Sequence, residues 1–159
     1  MKQSTLSIRR ATPRDAALVL KMIRGLAEYE RLAHQMEATV GQIRRHGFGR
    51  RRYFEALICR RGRTAIGFAL YFFTFSTFVG RPTLYLEDLF VLPEERGRGA
   101  GKALLSALAR LAVRRGCGLL ALAVLDWNTP SIRFYRKLCA TLLMEWILSF
   151  LTLPAFRRL

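Results

Sequence analysis

The chain has 159 residues, a formal net charge of +16 and 52% apolar residues. That is about one domain's length with enough apolar content for one substantial core, which excludes a disordered chain, and no apolar run approaches the ~18–20 residues that cross a bilayer. Cys59, Cys117 and Cys139 are too few and too scattered for a disulfide framework or a zinc spacing, so no metal is expected and all three read as buried structural thiols.

A strand ahead of Thr12 opens the element order. Thr12 then reads as an N-cap, with Pro13 at the first helical position and Asp15 placed for a capping box. Ala16, Val19, Leu20, Ile23, Leu26 and Ala27 follow helical spacing and predict an amphipathic helix to about Arg31. A weaker helix runs from Thr39 to His46. Tyr53 to Arg60 predicts a strand, Arg61-Gly62 a turn, and Thr64 to Phe75 its antiparallel partner. Gly80, Arg81 and Pro82 turn the chain into a strand from Leu84 to Val91. After a Gly- and Arg-rich loop, Leu104, Ala107, Leu108, Leu111 and Ala112 mark a helix that Gly116 and Gly118 end. Leu119 to Val124 reads as a buried strand, Asn128 to about Leu138 as a short helix, and Trp146 to Leu151 as a last strand. This order predicts one mixed α/β (α+β) domain over residues 1–159, its mostly antiparallel central sheet flanked by helices.

The basic residues are dispersed and mostly Arg; the densest run is Arg50-Arg51-Arg52, which reads as a solvated loop more readily than as a nucleic-acid footprint. The loop Arg96-Gly97-Arg98-Gly99-Ala100-Gly101-Lys102 has more chemical content, because it joins a strand to a helix. Glycines let the backbone approach an anion, and the first N–H groups of the helix point at it with the helix dipole behind them. A phosphate cradle and plain turn chemistry both fit these residues. No Gly-Lys-Ser/Thr ends a Walker spacing, and the GxGxxG fingerprint of dinucleotide binders is absent.

Glu87 and Asp88 are adjacent carboxylates in an otherwise apolar strand, where regular geometry points them to opposite faces. Burying either unpaired costs several kcal/mol, so they serve either an ion pair with an arginine or a cleft that receives a cation. Glu30 falls on the same stripe as Val19, Ile23 and Leu26 and needs a cationic partner if it is covered. Tyr135 fits a core position of its helix, and Asn128 and Ser131 fit a helix cap.

Arg96, Gly99 and Gly101 in the loop, the strand Leu84 to Val91 with Glu87-Asp88, and Asp126-Trp127-Asn128-Thr129-Pro130-Ser131 followed by Phe134-Tyr135 together resemble the GNAT N-acetyltransferase superfamily. Ala27-Glu28-Tyr29-Glu30 and Gly47-Phe48-Gly49 look like its diamine (spermidine/spermine) and thialysine branch, and Ser76-Thr77-Phe78 looks more like the thialysine enzymes. The resemblance covers nearly the whole chain and weakens after Leu138. It implies acetyl-CoA as cosubstrate, bound by the loop from Arg96 through Lys102, by Asn128 and Ser131, and by backbone N–H groups that a strand bulge frees at Leu89, Phe90 and Val91. It further implies Glu87 as general base through water, Tyr135 as general acid for the thiolate, and Tyr29, Glu30 and Asp88 as contacts of the amine. Cys139 stands where the family has Gly, which puts the geometry of that turn in question.

The activity expected is acetyl transfer to a small primary amine by direct attack in a ternary complex, with protein N-terminal or lysine acetylation as the alternative. A basic nucleic-acid- or ribosome-binding module is the competing class; it would gather arginines on one face with exposed aromatics. The N-terminus lacks the apolar core of a signal peptide. A cytoplasmic homodimer with no membrane or nucleic-acid partner is therefore the expectation, its interface drawn from the apolar stretch that contains Trp146, Ile147, Leu148 and Phe150.

Overall fold

The computed structural model describes residues 5–158. The chain forms two compact units, Met1–Ala123 and Val124–Leu159. The first holds β1 (Leu6–Arg10), α1 (Ala16–Tyr29), α2 (Val40–Phe48), β2 (Glu55–Arg61), β3 (Thr64–Ser76), β4 (Arg81–Val91), α3 (Ala100–Arg114) and β5 (Leu119–Leu122). The second holds α4 (Thr129–Lys137) and α5 (Leu153–Phe156).

The five strands lie side by side in chain order, β1 to β4 antiparallel and β5 parallel to β4. The entry to α1 is fixed by charge as well as by its cap. Asp15 accepts both guanidinium nitrogens of Arg9 at 2.7 Å, the Thr12 backbone N–H at 2.7 Å and the Thr12 hydroxyl at 2.9 Å. The hydrogen bonds from Arg9 hold its carboxyl far below the usual range, and they tie β1 to the helix it precedes.

On one face of the sheet α1 and α2 bury Val19, Leu20, Met22 and Ile43 against Ile58, Phe68, Leu70 and Phe90. Directly opposite residues of an antiparallel pair share a face, which makes the register of β3 and β4 informative. Leu70 faces Asp88 and Tyr71 faces Leu86, leaving Glu87 as an extra residue. Leu70 and Tyr71 are consecutive and point to opposite faces, so β4 switches phase across this bulge. Asp88 and Phe90 join the α1 face, whereas Leu84 and Leu86 pack on the other.

Three expectations are corrected. Trp146 to Leu151 forms no strand: Ile147 is 87% and Phe150 84% exposed, and α5 follows, with Thr152 as its N-cap and Pro154 in its first turn. An apolar run without alternation carries no strand period, and no neighbouring strand pairs with it. β5 is shorter than expected and is not buried, with Leu119 46% exposed, because it is the edge of the sheet. Of the three thiols only Cys59 is buried; Cys117 is half-buried and Cys139 exposed.

Cys139 keeps the left-handed conformation of a helix-terminating glycine, with φ of 63°. The Cys139 N–H donates to the Arg136 carbonyl at 2.9 Å and the Ala140 N–H to the Tyr135 carbonyl at 3.1 Å, closing α4 with a Schellman motif. A side chain in that conformation costs ~1–2 kcal/mol, which glycine avoids while losing more freedom on folding. Cys139→Gly is therefore expected to stabilise the protein by about 0.5–1 kcal/mol, read as a rise in thermal midpoint.

Candidate active site

The phase switch in β4 gathers acids. Asp88 lies on the α1 face, and Glu30 caps the C-terminal end of α1. Burial, helped by the negative charges of Glu87 and then Glu30, raises the carboxyl of Asp88 to about 7. Burial also raises Glu30. Arginines pair Asp15, Glu55 and Glu95, yet among the described residues none pairs Glu30, Glu87 or Asp88. Of the two uses open to this carboxylate pair, the ion pair with arginine is thus not the one found. In a chain with 27 Lys and Arg, these three acids have no ion pair among the described residues.

The loop after β4 is built to meet an anion. Gly97 and Gly99 adopt φ of 71° and 87°, where a side chain is strained. Gly99 caps α3 with no side-chain bond, and no acid occupies the helix's first turn. The first bond of α3 runs from the Ala103 N–H to the Gly99 carbonyl at 2.9 Å, so the N–H groups of Ala100, Gly101 and Lys102 have no helical acceptor. Lys102 and Arg98 are exposed beside them. Diphosphate chemistry fits this cradle.

Arg96 is already engaged. Its Nε donates to the Val91 carbonyl at 3.0 Å, and its guanidinium lies 4.4 Å from the Tyr29 ring centroid and 5.6 Å from that of Phe90. The loop is therefore fastened to the end of β4 and to α1.

The three residues expected to offer backbone amides divide into two groups. The Leu92 N–H donates to the Ile66 carbonyl at 2.9 Å, toward β3. By alternation Phe90 shares that side, and Leu89 and Val91 turn their N–H groups to the other edge. There the pairing with β5 ends at Leu86 opposite Leu122. The bulge itself sits at Glu87, ahead of these positions.

In the second unit Asn128 is 4% exposed and caps α4, its side chain accepting from the Ser131 N–H at 3.3 Å. Tyr135 is 9% exposed on the same helix, its ring 5.3 Å from that of Phe134. Among the described residues no three His, Cys, Asp or Glu side chains gather to hold a metal.

Sequence reasoning missed the pair that supports the loop. Arg61 Nε donates to Glu95 at 2.8 Å, with side chains only 12% and 14% exposed, and Arg98 adds a bond to the same carboxylate at 3.2 Å. Arg61 and Glu95 belong to different elements far apart in the chain, and no local pattern marks them.

Asp88 has a testable signature. Its folded carboxyl titrates near 7 against an ordinary 3.8, so the folded state holds the proton between those values and the unfolded state does not. Its contribution to stability is fullest at the lower end of this window and declines as pH rises to 7. Asp88→Asn should reduce the loss of thermal midpoint between about pH 5 and about pH 8, relative to wild type.

Residues 21–140 match the acetyltransferase (GNAT) family. The chain is 38% identical over 146 residues to a mouse thialysine N-epsilon-acetyltransferase, covering 87% of this chain and 85% of the relative. It is 33% identical over 147 residues to a human spermidine/spermine N(1)-acetyltransferase-like protein 1, covering 86% of this chain but 21% of that longer protein. An aminoglycoside N-acetyltransferase solved in complex with CoA shares the fold with a TM-score of 0.74 at 21% identity, covering 96% of this chain and 97% of the other. The family match spans β4, the glycine loop and α4 together, and with it the chain belongs to the acetyltransferase (GNAT) family and is an N-acetyltransferase.

Proposed function

We propose that this protein acetylates a small amine that carries positive charge, with acetyl-CoA as donor, and that residues 1–159 act as one N-acetyltransferase domain. The observation that carries this reading is the trio Glu30, Glu87 and Asp88, gathered with no ion pair among the described residues in a chain of net charge +16. The relatives named for thialysine and for spermidine/spermine point to the same class of acceptor.

Acetyl-CoA, when bound, supplies the acetyl group and departs as the free thiol. The N–H groups of Ala100, Gly101 and Lys102, with Arg98 and Lys102, neutralise its diphosphate. Asn128 and Ser131 add contacts from the start of α4. The N–H groups of Leu89 and Val91 donate to the acyl arm and the acetyl oxygen, where each such donor is typically worth ~3 kcal/mol in the transition state. Tyr29, Glu30 and Asp88 hold the acceptor's ammonium charge. An alkylamine has a pKa near about 10.4, so its attacking nitrogen must first lose a proton. Glu87, exposed at the bulge, takes that proton through water, and the Tyr135 hydroxyl returns one to the departing sulfur.

One observation favours a second assignment of the base. The carboxyl of Asp88, raised to about 7, suits proton removal at neutral pH. The two variants separate these roles. Glu87→Gln is expected to lower kcat roughly 100-fold with little change in the amine KM, while Asp88→Asn raises that KM; the reverse pattern assigns the base to Asp88.

The reading as a whole is tested by thiol release from acetyl-CoA against putrescine, spermidine, thialysine, lysine and a basic peptide. Turnover is expected with a short amine, with kcat about 100-fold lower in Tyr135→Phe. Turnover with the peptide alone would move the protein to protein acetylation, and undiminished turnover in Tyr135→Phe would remove that residue from the chemistry.

We further read the protein as a cytoplasmic homodimer. The exposed Trp146, Ile147, Leu148 and Phe150 support a self-association surface, and among the described residues no helix is long and apolar enough to cross a membrane.

A further inference from the structure

The acetyl-transfer chemistry uses nothing from the end of α2 or the chain that follows it. Between Glu37 and Glu55 there is no acidic residue, and Arg44, Arg45, Arg50, Arg51 and Arg52 are all exposed. Among the described residues none of these five makes an ion pair. Glu55, the acid nearest along the chain to Arg50, Arg51 and Arg52, is shared by Arg10 at 4.0 Å and Arg115 at 3.7 Å. Five exposed guanidinium groups thus fall between residues 44 and 52 with no ion pair among the described residues.

Three of the five line a concavity. Arg45, His46, Gly49, Arg50, Arg51 and Tyr53 line a cleft of ≈ 520 Å³, within the usual size range of small-ligand sites. Two backbone bonds fix the chain that lines it: Tyr53 N–H donates to the His46 carbonyl at 2.8 Å, and Gly49 N–H to the Arg45 carbonyl at 3.1 Å. The Tyr53 ring is 64% exposed, and it meets His46 edge-on with centroids 5.4 Å apart, which leaves an aromatic surface in the cleft wall.

We propose that this cleft is a second binding site, for single-stranded nucleic acid, with Arg45, Arg50 and Arg51 on the phosphates and Tyr53 stacked on a base. The planar, permanently charged guanidinium pairs with phosphate through two bonds, and a base offers its face to an aromatic ring whatever its identity. A lipid surface fits less well. Of the residues that line the cleft, Tyr53 is the one exposed large apolar side chain, whereas a membrane-bound face presents several. The acetyl-transfer chemistry and this cleft share no residue, so the gathered arginines and the exposed aromatic add a function to an N-acetyltransferase rather than replace it.

The test must separate this cleft from the general attraction of a +16 protein for polyanions. Binding of a fluorescent single-stranded RNA of about 12 nucleotides to the full chain is followed by anisotropy over a range of salt. Arg50→Gln with Arg51→Gln should weaken binding and reduce the slope of log affinity against log salt by about 1.4, since each lost phosphate contact on a single strand contributes about 0.7. The charge-matched control, Arg110→Gln with Arg114→Gln on α3, should lose far less. Tyr53→Ala should weaken binding about tenfold without changing the slope, and Tyr53→Phe should retain it, because stacking needs the ring and not the hydroxyl. Thermal midpoints equal to wild type show that the variants are folded. Equal losses from both arginine pairs, an unaffected Tyr53→Ala, or binding to phosphatidylserine vesicles with none to RNA would each overturn the proposal.

Discussion

One extra residue in β4 determines how the rest of the site can be built. With Glu87 bulged out, the strand changes phase between Leu86 and Asp88. A regular strand would put Leu84, Leu86, Asp88 and Phe90 on a single face, either exposing two core leucines or burying the acid among them. The bulge resolves the conflict. It sends Leu84 and Leu86 into one layer and turns Asp88 with Phe90 toward α1, whose last turn carries Tyr29 and ends at Glu30. Close by in sequence, the pairing of β4 with β5 ends at Leu86, so β5 takes no bond from the Leu89 and Val91 amides. Cation-holding acids and anion-facing amides thus arise from one local departure from strand geometry.

Charge is distributed to match. The chain has 11 acidic residues, and three of them do structural work: Asp15 fixes β1 to α1, Glu55 lies between Arg10 and Arg115, and Glu95 anchors the glycine loop through Arg61 and Arg98. Glu30, Glu87 and Asp88 have no such duty. Burial first, and then the negative charges of Glu87 and Glu30, raise the proton affinity of Asp88, a cost that an arriving ammonium ion would relieve. The same arithmetic, run with the sign reversed, applies to Arg44, Arg45 and Arg50 through Arg52, whose unpaired charge favours an anion.

Much of this was legible in the sequence because it is periodic or local. The capping residues Thr12 and Asp15, the helical stripes of α1 and α3, the alternating strands and the glycines at 97 and 99 each follow from residues a few positions apart. What escaped depends on partners. The bulge at Glu87 is a property of the pairing with β3, so the expectation of opposite faces for Glu87 and Asp88 rested on a regular strand that is not there. Arg61 meets Glu95 only after the sheet has formed. Trp146 to Leu151 looked like a strand because apolar runs resemble one another whether or not a neighbour exists to pair with them. Cys139 adopts the backbone of the residue it replaces, which composition could not reveal.

The most direct test of the acid cluster as a cation site is the proton count of binding. Calorimetric titration of a short diamine or thialysine at about pH 7, in buffers of different ionisation enthalpy, measures protons released per amine bound. An ammonium ion seated beside Asp88 must lower its proton affinity, so the account predicts proton release that disappears in Asp88→Asn, along with weaker binding. Binding that releases no protons, or that is indifferent to Asp88→Asn, would contradict it.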